Sequence, residues 1–376
     1  MKPTHLLGRV CLASLMLLYP AVVGAFGSPP GEPAKVKIGL LVPGKNSLAA
    51  RQGAELAVIL ANEKGGFNGR PFELLTRSME GPWGTGSKQA VDLIFNFQVC
   101  AILGSHDGRN GHLVEQVSAK TRVVFLSAWA GDPTLSEAFV PWYFSCIPND
   151  LQQAAAIIHE VYDLRKMNRV ALVTDEDYDA QSASAAFLKK LGQAGKPKPL
   201  LFSYPATGKD QQSLPGRISQ SGAQAILLFC APGNSRLIMG ELRKAQLQLP
   251  VFGSLLLLNE DILSGQDFGN FDGRAYFPTG EWDRVKFEAF SRAYRNRNKK
   301  EPGAMAAYAF DGMSMLIEAM RKTGLEEPEM QKILSTMQFE GVTGNIHFDD
   351  KGNRTGYFSL KVVSGGIPLM MGLAKK

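Results

Sequence analysis

The chain has 376 residues and a formal net charge of +6, with 45% hydrophobic and 20% charged residues. Its basic residues are spread along the chain instead of forming a stripe, which argues against a nucleic-acid partner. At roughly 100 to 200 residues per domain, the length predicts two domains.

The N-terminal stretch MKPTHLLGRVCLASLMLLYPAVVGAF has a short basic start, an apolar run and the small-residue ending VGA. This order is typical of a cleavable secretory signal, so we predict cleavage after Ala25. A membrane anchor would need about 20 apolar residues, whereas Pro20 interrupts a shorter run. Cleavage removes two basic residues and no acid, which lowers the formal charge from +6 to +4.

Strands and helices alternate through the first half of the mature chain. The pattern predicts the strand VKIGLLV, the helix AARQGAELAVILANEKG, the strand PFELLTR, the helix SKQAVDLIFNFQ, the strand CAILG, a helix beginning near Gly111 and the strand VVFLSA. Because the strands are continuously apolar, they fit a parallel sheet that is covered on both faces.

The same order returns after residue 168. The second series is RVALVTD, AQSASAAFLKKLGQAG, PLLFSYPA, QQSLPGRISQSG, AILLFC, NSRLIMGELRKAQL and LPVFG. Residues 287–324 and 330–339 are predicted to be helical, and residues 344–370 to form hairpin strands. The repetition predicts two doubly wound α/β lobes, which the C-terminal segments complete.

In open parallel sheets, ligands bind beyond the carboxyl ends of the strands. The loops at those ends are residues 43–47, 104–111, 127–133, 175–179, 230–235 and 253–256. Loop 104–111 is unusually polar, and either Asp107 or Asn110 can cap the helix that follows it. Capping alone does not require Arg109, which suggests a second role for this loop.

Motifs for catalysis are incomplete. Residues 81–88, GPWGTGSK, approach a phosphate-binding loop, but the serine and lysine are in reverse order, so we predict that Ser87 caps a helix instead. A dinucleotide fingerprint and a G-x-S-x-G elbow around Ser127 are both missing. Asp349 and Asp350 are predicted to form a turn. An enzyme, for example a hydrolase using Ser127 or His106, is therefore the least favoured interpretation.

Three cysteines follow the signal: Cys100, Cys146 and Cys230. Each lies in or at the end of an apolar run, so one disulfide and buried free thiols are both compatible with the sequence. Their spacing relative to the histidines does not match a zinc site. We expect no metal and no cofactor.

Several fragments carry a family resemblance in their order and spacing. They are KIGLLVP, GAELAVILANEKGGFNGRPFELL, AILGS, FLSAWAGDPTLSE, RVALVTDEDYD and FEGVTGNIHFDDKGN. Over nearly the whole mature chain, the sequence resembles the leucine/isoleucine/valine-binding family, the type I periplasmic solute-binding proteins of ABC importers. The resemblance implies two doubly wound parallel-sheet lobes, residues 35–147 with 278–345 and residues 148–277 with 346–376. A three-stranded hinge would join them near residues 148, 277 and 346.

The resemblance also implies a set of ligand-binding positions. They are Ser105, Gly108, Arg109, Asn110, Ala128, Trp129, Gly131, Tyr178, Ala231 and Leu255. Family members bind a ligand carboxylate with small hydroxyl residues and backbone N–H groups of lobe one, and an aromatic and an acid of lobe two complete the site. Here Tyr178 matches the aromatic, but residues 108–110 lack the hydroxyls and Leu255 stands where the acid is expected.

These departures suggest a ligand that differs from an ordinary amino acid. Arg109 would form a bidentate clamp on a carboxylate, with Asp107 orienting it or capping the helix, unless Arg109 only pairs with Asp107 on the surface. Trp129 would stack on a planar ligand or pack in the lobe core. Without an acid at position 255, a planar or apolar carboxylic acid fits better than a zwitterion. The alternative is that Glu260, Asp261 or Glu281 replaces the missing charge.

The predicted function is that of an extracytoplasmic solute-binding component of a branched-chain-amino-acid-type ABC importer. Its ligand would be a small amino acid or a related organic acid, including an aromatic one. The expected protein is a periplasmic monomer that delivers this solute to an ABC permease. The alternative is a periplasmic sensor or scaffold that keeps the fold but has a degenerate cleft.

Overall fold

A computed structural model describes residues 34–137, 140–205, 210–263 and 265–368. The predicted signal peptide therefore lies outside the described residues. Within the described ranges, no helix has both the length and the apolarity needed to cross a bilayer.

The first sheet has five parallel strands in the order β2-β1-β3-β4-β5. Its elements are β1 (Val36–Val42), α1 (Ala49–Glu63), β2 (Phe72–Ser78), α2 (Thr85–Val91), β3 (Ala101–Gly104), α3 (Gly108–Thr121), β4 (Val124–Ser127), α4 (Thr134–Glu137) and β5 (Tyr143–Ser145). A π-helical turn, Asp92–Asn96, extends α2. The two middle strands, β3 and β4, are buried at every position, as the apolar runs predict.

The second sheet repeats this arrangement. Its elements are α5 (Asp150–Ile158), β6 (Val170–Thr174), α6 (Tyr178–Gln193), β7 (Leu200–Ser203), α7 (Asp210–Gln220), β8 (Ala225–Phe229), α8 (Pro232–Lys244), β9 (Val251–Gly253), α9 (Gly265–Phe271) and β10 (Ala275–Thr279). A π-helical turn, His159–Leu164, follows α5, and a 3-10 turn, Leu255–Leu257, follows β9.

The C-terminal elements contribute to both lobes. They are α10 (Arg284–Asn298), α11 (Ala304–Thr323), α12 (Glu327–Leu334), β11 (Phe339–Gly341), β12 (Gly344–Ile346), β13 (Ser359–Ser364) and β14 (Ile367–Pro368). Helix α11 packs on α1, β3 and β4 of the first lobe, whereas β13 pairs antiparallel with β10 of the second sheet. Three connections therefore join the two sheets, after β5, after β10 and after β12.

The five parallel strands of the second sheet run β7-β6-β8-β9-β10, the same relative order as in the first. In this order, the chain reverses direction across the sheet between the first and third strands of each lobe, and ligands of doubly wound sheets bind at that point. The predicted architecture of two doubly wound lobes is confirmed. By this rule, the expected ligand-binding points are the carboxyl ends of β1 and β3 in the first sheet and those of β6 and β8 in the second.

Several local predictions need correction. Ser87 lies inside α2 and does not cap it, because the helix begins after Gly84. Gly84 has a φ of 92°, a backbone conformation that favours glycine, and its carbonyl accepts a hydrogen bond from the Ser87 hydroxyl. Helix α3 begins at Gly108, three residues before the predicted start. The turn at Asp349 is confirmed, since its carboxylate accepts bonds from the N–H groups of Lys351 and Asn353.

Candidate functional site

A cavity of about 160 Å³ lies between the strand ends of the two sheets. All six predicted loops contribute to its lining. The loops contribute Pro43, His106, Asp107, Trp129, Asp177, Asp179, Cys230, Pro232, Ser254 and Leu256. The other lining residues are Ala180, Ala183, Phe229, Leu257, Asn259 and Ile262. The site therefore forms where the sheet topology places it, with walls from both lobes.

The ten predicted binding positions are all described, and they lie in or beside these loops. Trp129 lines the cavity, whereas Ser105, Gly108, Ala231 and Leu255 are chain neighbours of lining residues. Ala128 and Gly131 are buried next to Trp129, and Arg109 and Asn110 belong to the first turn of α3. The binding roles of these residues stay predictions.

Residues at the start of α3 contact the second lobe beside the cavity. Asp107 caps the helix, because its carboxylate accepts bonds from the backbone N–H and the side-chain amide of Asn110. The N–H of Gly108 donates to Asp179 Oδ1 in the second lobe at 2.9 Å. A Cβ on Gly108 would lie 2.8 Å from both Asp132 Cβ and the Tyr178 ring, so only glycine allows this approach.

Tyr178 and Arg109 cover the same contact from outside. The Tyr178 hydroxyl donates to Asp132 Oδ2 across the lobes at 2.8 Å. The Arg109 guanidinium carbon lies 5.6 Å from the centre of the Tyr178 ring, and the Arg109 side chain is exposed. Both residues therefore lie at the rim of the cleft and outside the cavity lining.

Two aromatic side chains of the first lobe line the cavity. Trp129 is 5% exposed and packs edge-on against Tyr308 at a centroid distance of 6.1 Å, so it is both core and cavity wall. His106 Nδ1 lies 2.8 Å from the Asp107 carbonyl, and its buried Nε2 has no hydrogen-bond partner among the described residues. Burial lowers the pKa of His106, which keeps the ring neutral at pH 7.

The segment between β9 and α9 closes the far side of the cleft. Glu260 accepts bonds from the N–H groups of Met305 and Ala306 at the start of α11. Asp261 Oδ1 accepts bonds from the N–H groups of Leu48 and Ala49 at the start of α1. Neither helix has a side-chain cap on its own N-cap residue, so an acid of the second lobe caps each of them.

This arrangement corrects the expectation that one of three acids takes over the charge of the missing family acid. The carboxylates of Glu260 and Asp261 face helix N-termini. The carboxylate of Glu281 binds Lys361 and Ser359. These three acids do not line the cavity.

A polar cluster supports the Tyr178 contact. His112 lies with Nε2 at 3.3 Å from Asp132 Oδ2 and Nδ1 at 3.4 Å from Glu115 Oε2. Hydrogen bonds to Asp132 and Glu115 raise the pKa of His112 to about 9. Burial acts to raise the pKa of Asp132, but bonds from His112, Thr134 and Tyr178 outweigh it and lower the pKa to about 2.

The raised pKa of His112 predicts a pH-dependent stability. The unfolded side chain titrates near 6.5, so the pair contributes its full stability below that pH and loses it as pH rises through about 9. We expect the free energy of unfolding, measured in denaturant, to fall between pH 7 and 9 in the wild type. His112→Gln should flatten this slope, and an unchanged slope would refute the assignment.

A larger groove of about 900 Å³ lies elsewhere, between α2 and α3 on the outside of the first lobe. Its lining includes Val91, Phe95, Leu113 and Lys120. It is far from the strand ends at which doubly wound sheets bind ligands, and the second lobe contributes nothing to it. The smaller cavity is therefore the candidate site.

Comparison with known proteins agrees with this geometry. A family model described as periplasmic binding protein matches residues 35–365. The chain belongs to the periplasmic binding protein family. Its members bind solutes and are not enzymes, in agreement with the incomplete catalytic motifs.

Individual relatives are similar over most of their length. A Leu/Ile/Val-binding protein homolog of Brucella abortus is 23% identical over 344 residues, 89% of this chain and 91% of the relative. The Streptococcus pneumoniae substrate-binding protein LivJ, solved with isoleucine, superposes with a TM-score of 0.74 at 21% identity and covers 88% of this chain and 97% of its own. A Rhodopseudomonas palustris solute-binding protein, solved with 3,4-dihydroxybenzoic acid, has a TM-score of 0.74 at 20% identity and covers 88% and 93%. The resemblance to the leucine/isoleucine/valine-binding family is confirmed.

Proposed function

We propose that this periplasmic binding protein captures a small organic solute, an amino acid or a compound of similar size, between its lobes. After export by its signal peptide, it would deliver the solute to an ABC permease. The observation that carries the proposal is the cavity itself, whose lining comes from the strand-end loops of both lobes. Solute capture needs such a site, because the ligand must stabilise the closed arrangement of the lobes.

The size of the cavity limits the ligand. Drug-sized ligands occupy about 300 to 1,000 Å³, whereas an apolar cavity of about 150 Å³ holds a benzene ring. At about 160 Å³, this cavity fits a single ring or a branched aliphatic chain with one polar end. Isoleucine and 3,4-dihydroxybenzoic acid, the molecules solved with two structural relatives, are of this order of size.

The chemistry of the walls fits such a molecule. Trp129, Phe229 and Leu257 offer apolar surface, while Asp177 and Asp179 offer carboxylates at the start of α6. Apolar walls with a few polar anchors are typical of small-molecule sites. The site would bind the apolar part by contact area and orient the polar end by hydrogen bonds.

A solute panel with a blocked variant tests this function. Amino acids, aromatic acids, amines and amides are screened for a rise in Tm, since a ligand that binds only the folded state must raise it. Ala183→Leu adds side-chain volume to the cavity wall, and we expect it to abolish the shift of any solute that binds the wild type. Ala185→Leu changes an exposed residue of the same helix and should leave the shift intact.

Comparison of the three proteins distinguishes the possible outcomes. A solute that shifts the wild type and Ala185→Leu but not Ala183→Leu places binding in the cavity. An equal shift in all three proteins would contradict the cavity as the site. If no solute of the panel shifts the wild type, solute capture by this cavity is refuted. Uptake of the identified solute by cells that carry the permease then tests delivery.

A further inference from the structure

The walls of the cavity carry an unbalanced charge. Three acids, Asp107, Asp177 and Asp179, are among the lining residues. The lining contains no lysine or arginine, all of its residues being within the described ranges. The nearby cation, Arg109, is exposed at the rim and lies over the Tyr178 ring. A solute in this cavity therefore meets carboxylates without a compensating cation in the wall.

One of these acids already occupies a position suited to a carboxylate. The first N–H of α3, that of Gly108, points at Asp179 Oδ1 across the lobes at 2.9 Å. Helix N-termini bind anions because their first N–H groups lack partners and the helix dipole is positive there. The Asp179 carboxyl group therefore occupies the N-terminus of α3, at which a solute carboxylate would otherwise bind.

We propose that Asp179 determines the charge selectivity of the cavity: its carboxylate takes the Gly108 N–H, so the cavity rejects carboxylates and selects solutes with an amino group. This inference rests on the proposed function of the cavity and names the class of its ligand. A solute carboxylate would have to displace Asp179 and then lie beside it. An ammonium group instead gains a charge-assisted hydrogen bond to the same side chain.

The surroundings of Asp179 favour a cationic partner. Burial raises the pKa of Asp179 well above its usual range, because no cation of the cavity wall stabilises its charged form. Asp107, Asp150 and Asp177 act on it in the same direction, and the Gly108 N–H opposes them. A solute ammonium would stabilise the charged carboxylate, whereas a solute carboxylate would find the Gly108 N–H already occupied.

Benzylamine and benzoate test the inference, because they share a ring that fits the cavity and differ in the charge of their polar end. Asp179→Ala removes the carboxylate and frees the Gly108 N–H. Asp179→Asn removes the charge but keeps an oxygen that accepts this bond. Glu176→Gln, a change of equal charge at an exposed neighbour outside the lining, is the control. Affinities are measured by calorimetry, and melting curves verify folding.

In the wild type and Glu176→Gln, we expect benzylamine to bind at least about tenfold tighter than benzoate, since juxtaposed like charges are strongly disfavoured. Asp179→Ala should bind benzoate about tenfold tighter than the wild type does. Asp179→Asn should lose affinity for benzylamine without this gain for benzoate. The gain in Asp179→Ala is itself proof of a folded variant.

The proposal is overturned if Asp179→Ala binds benzoate no tighter than the wild type, or if the wild type does not prefer benzylamine. These outcomes differ from failure of the proposed function, which shows as the absence of any solute that Ala183→Leu blocks. A protein that binds carboxylates in a cavity blocked by Ala183→Leu would retain solute capture and lose only the assigned selectivity.

Discussion

Replacement of Arg354 by methionine is expected to lower the free energy of unfolding by about 3 to 5 kcal/mol and Tm by roughly 10 °C. Arg354 is 1% exposed and donates four hydrogen bonds. Methionine fills a similar volume but donates none, so buried carbonyl groups would lose their partners. Each such loss costs about 1 to 3 kcal/mol, which water entry reduces in part.

The position of Arg354 explains why a single side chain matters this much. Its guanidinium donates to the carbonyl of Cys146 in the connection after β5, and to those of Thr343 and Asn345 in the β11–β12 hairpin. Arg354 itself lies on the connection that follows β12. The third connection passes equally close, since a Cβ on Gly280 would lie 2.9 Å from Arg354 Nη2. Arg354 is therefore the point at which all three connections meet.

A buried acid balances this charge through a hydroxyl group. Thr343 Oγ1 accepts a bond from Arg354 at 3.2 Å and donates to Asp311 Oδ2 at 2.7 Å. Asp311 also accepts the N–H groups of Val342 and Thr343, which ties α11 to the same connection. Loss of Arg354 would leave Asp311 as an uncompensated buried charge, which adds to the expected cost.

Arg321 provides the matched control. It also donates to backbone carbonyls, those of Ala61 and Gly66, but its side chain is exposed and water can replace it. Chemical denaturation of Arg321→Met should show a loss of about 1 kcal/mol. Arg354→Lys should fall between the two, because one ammonium group cannot reach carbonyls on separate connections. Equal losses for Arg354→Met and Arg321→Met would contradict the role of Arg354.

The sequence predicts the loops of the site well and its individual residues poorly. Strand ends follow from long apolar runs, and strand order from their repetition, so all six lining loops could be predicted. In extended segments, however, successive side chains point to opposite sides. The predicted position Ser105 is buried, whereas its neighbour His106 lines the cavity. Leu255 is also buried and outside the lining, whereas Leu256 and Leu257 of the same 3-10 turn line the cavity. A prediction that is wrong by one residue therefore names a buried core residue instead of one that lines the cavity.

Other features depend on contacts far apart in the chain. Strand β10 contains Pro278 as its fourth of five residues, which weakens the strand signal, and the strand forms because β9 and β13 flank it. Arg354 follows the turn DDKGN, a context that is typical of exposed residues. It is nevertheless buried among the segments around Cys146, Gly280 and Thr343, which are distant from one another along the chain. Neither residue periodicity nor a local sequence motif predicts packing between such distant segments.

Replacement of Asp261 by alanine should weaken solute binding, although Asp261 is not among the residues that line the cavity. Its carboxylate caps α1 from the other lobe, so the contact exists only when the lobes are closed. An N-cap contributes about 0.5 to 2 kcal/mol, and loss of closed-state stability lowers affinity by the same factor. We expect calorimetry of Asp261→Ala to show an affinity about tenfold lower for any solute that binds the wild type. A double Glu260→Ala/Asp261→Ala variant should lose about a hundredfold.

Asp283 is a control that separates the stabilisation of a helix by its N-cap from the stabilisation of the closed lobes. It caps α10 within its own lobe by accepting the Lys286 N–H at 3.0 Å. Asp283→Ala should therefore lower Tm by an amount similar to Asp261→Ala and leave solute affinity unchanged. Small-angle scattering gives a readout that needs no solute, since only the Asp261 variants should shift the lobes towards a more open, larger radius. If both caps change affinity equally, Asp261 stabilises the fold and not the closed arrangement, and the second lobe would close on the solute without the help of this loop.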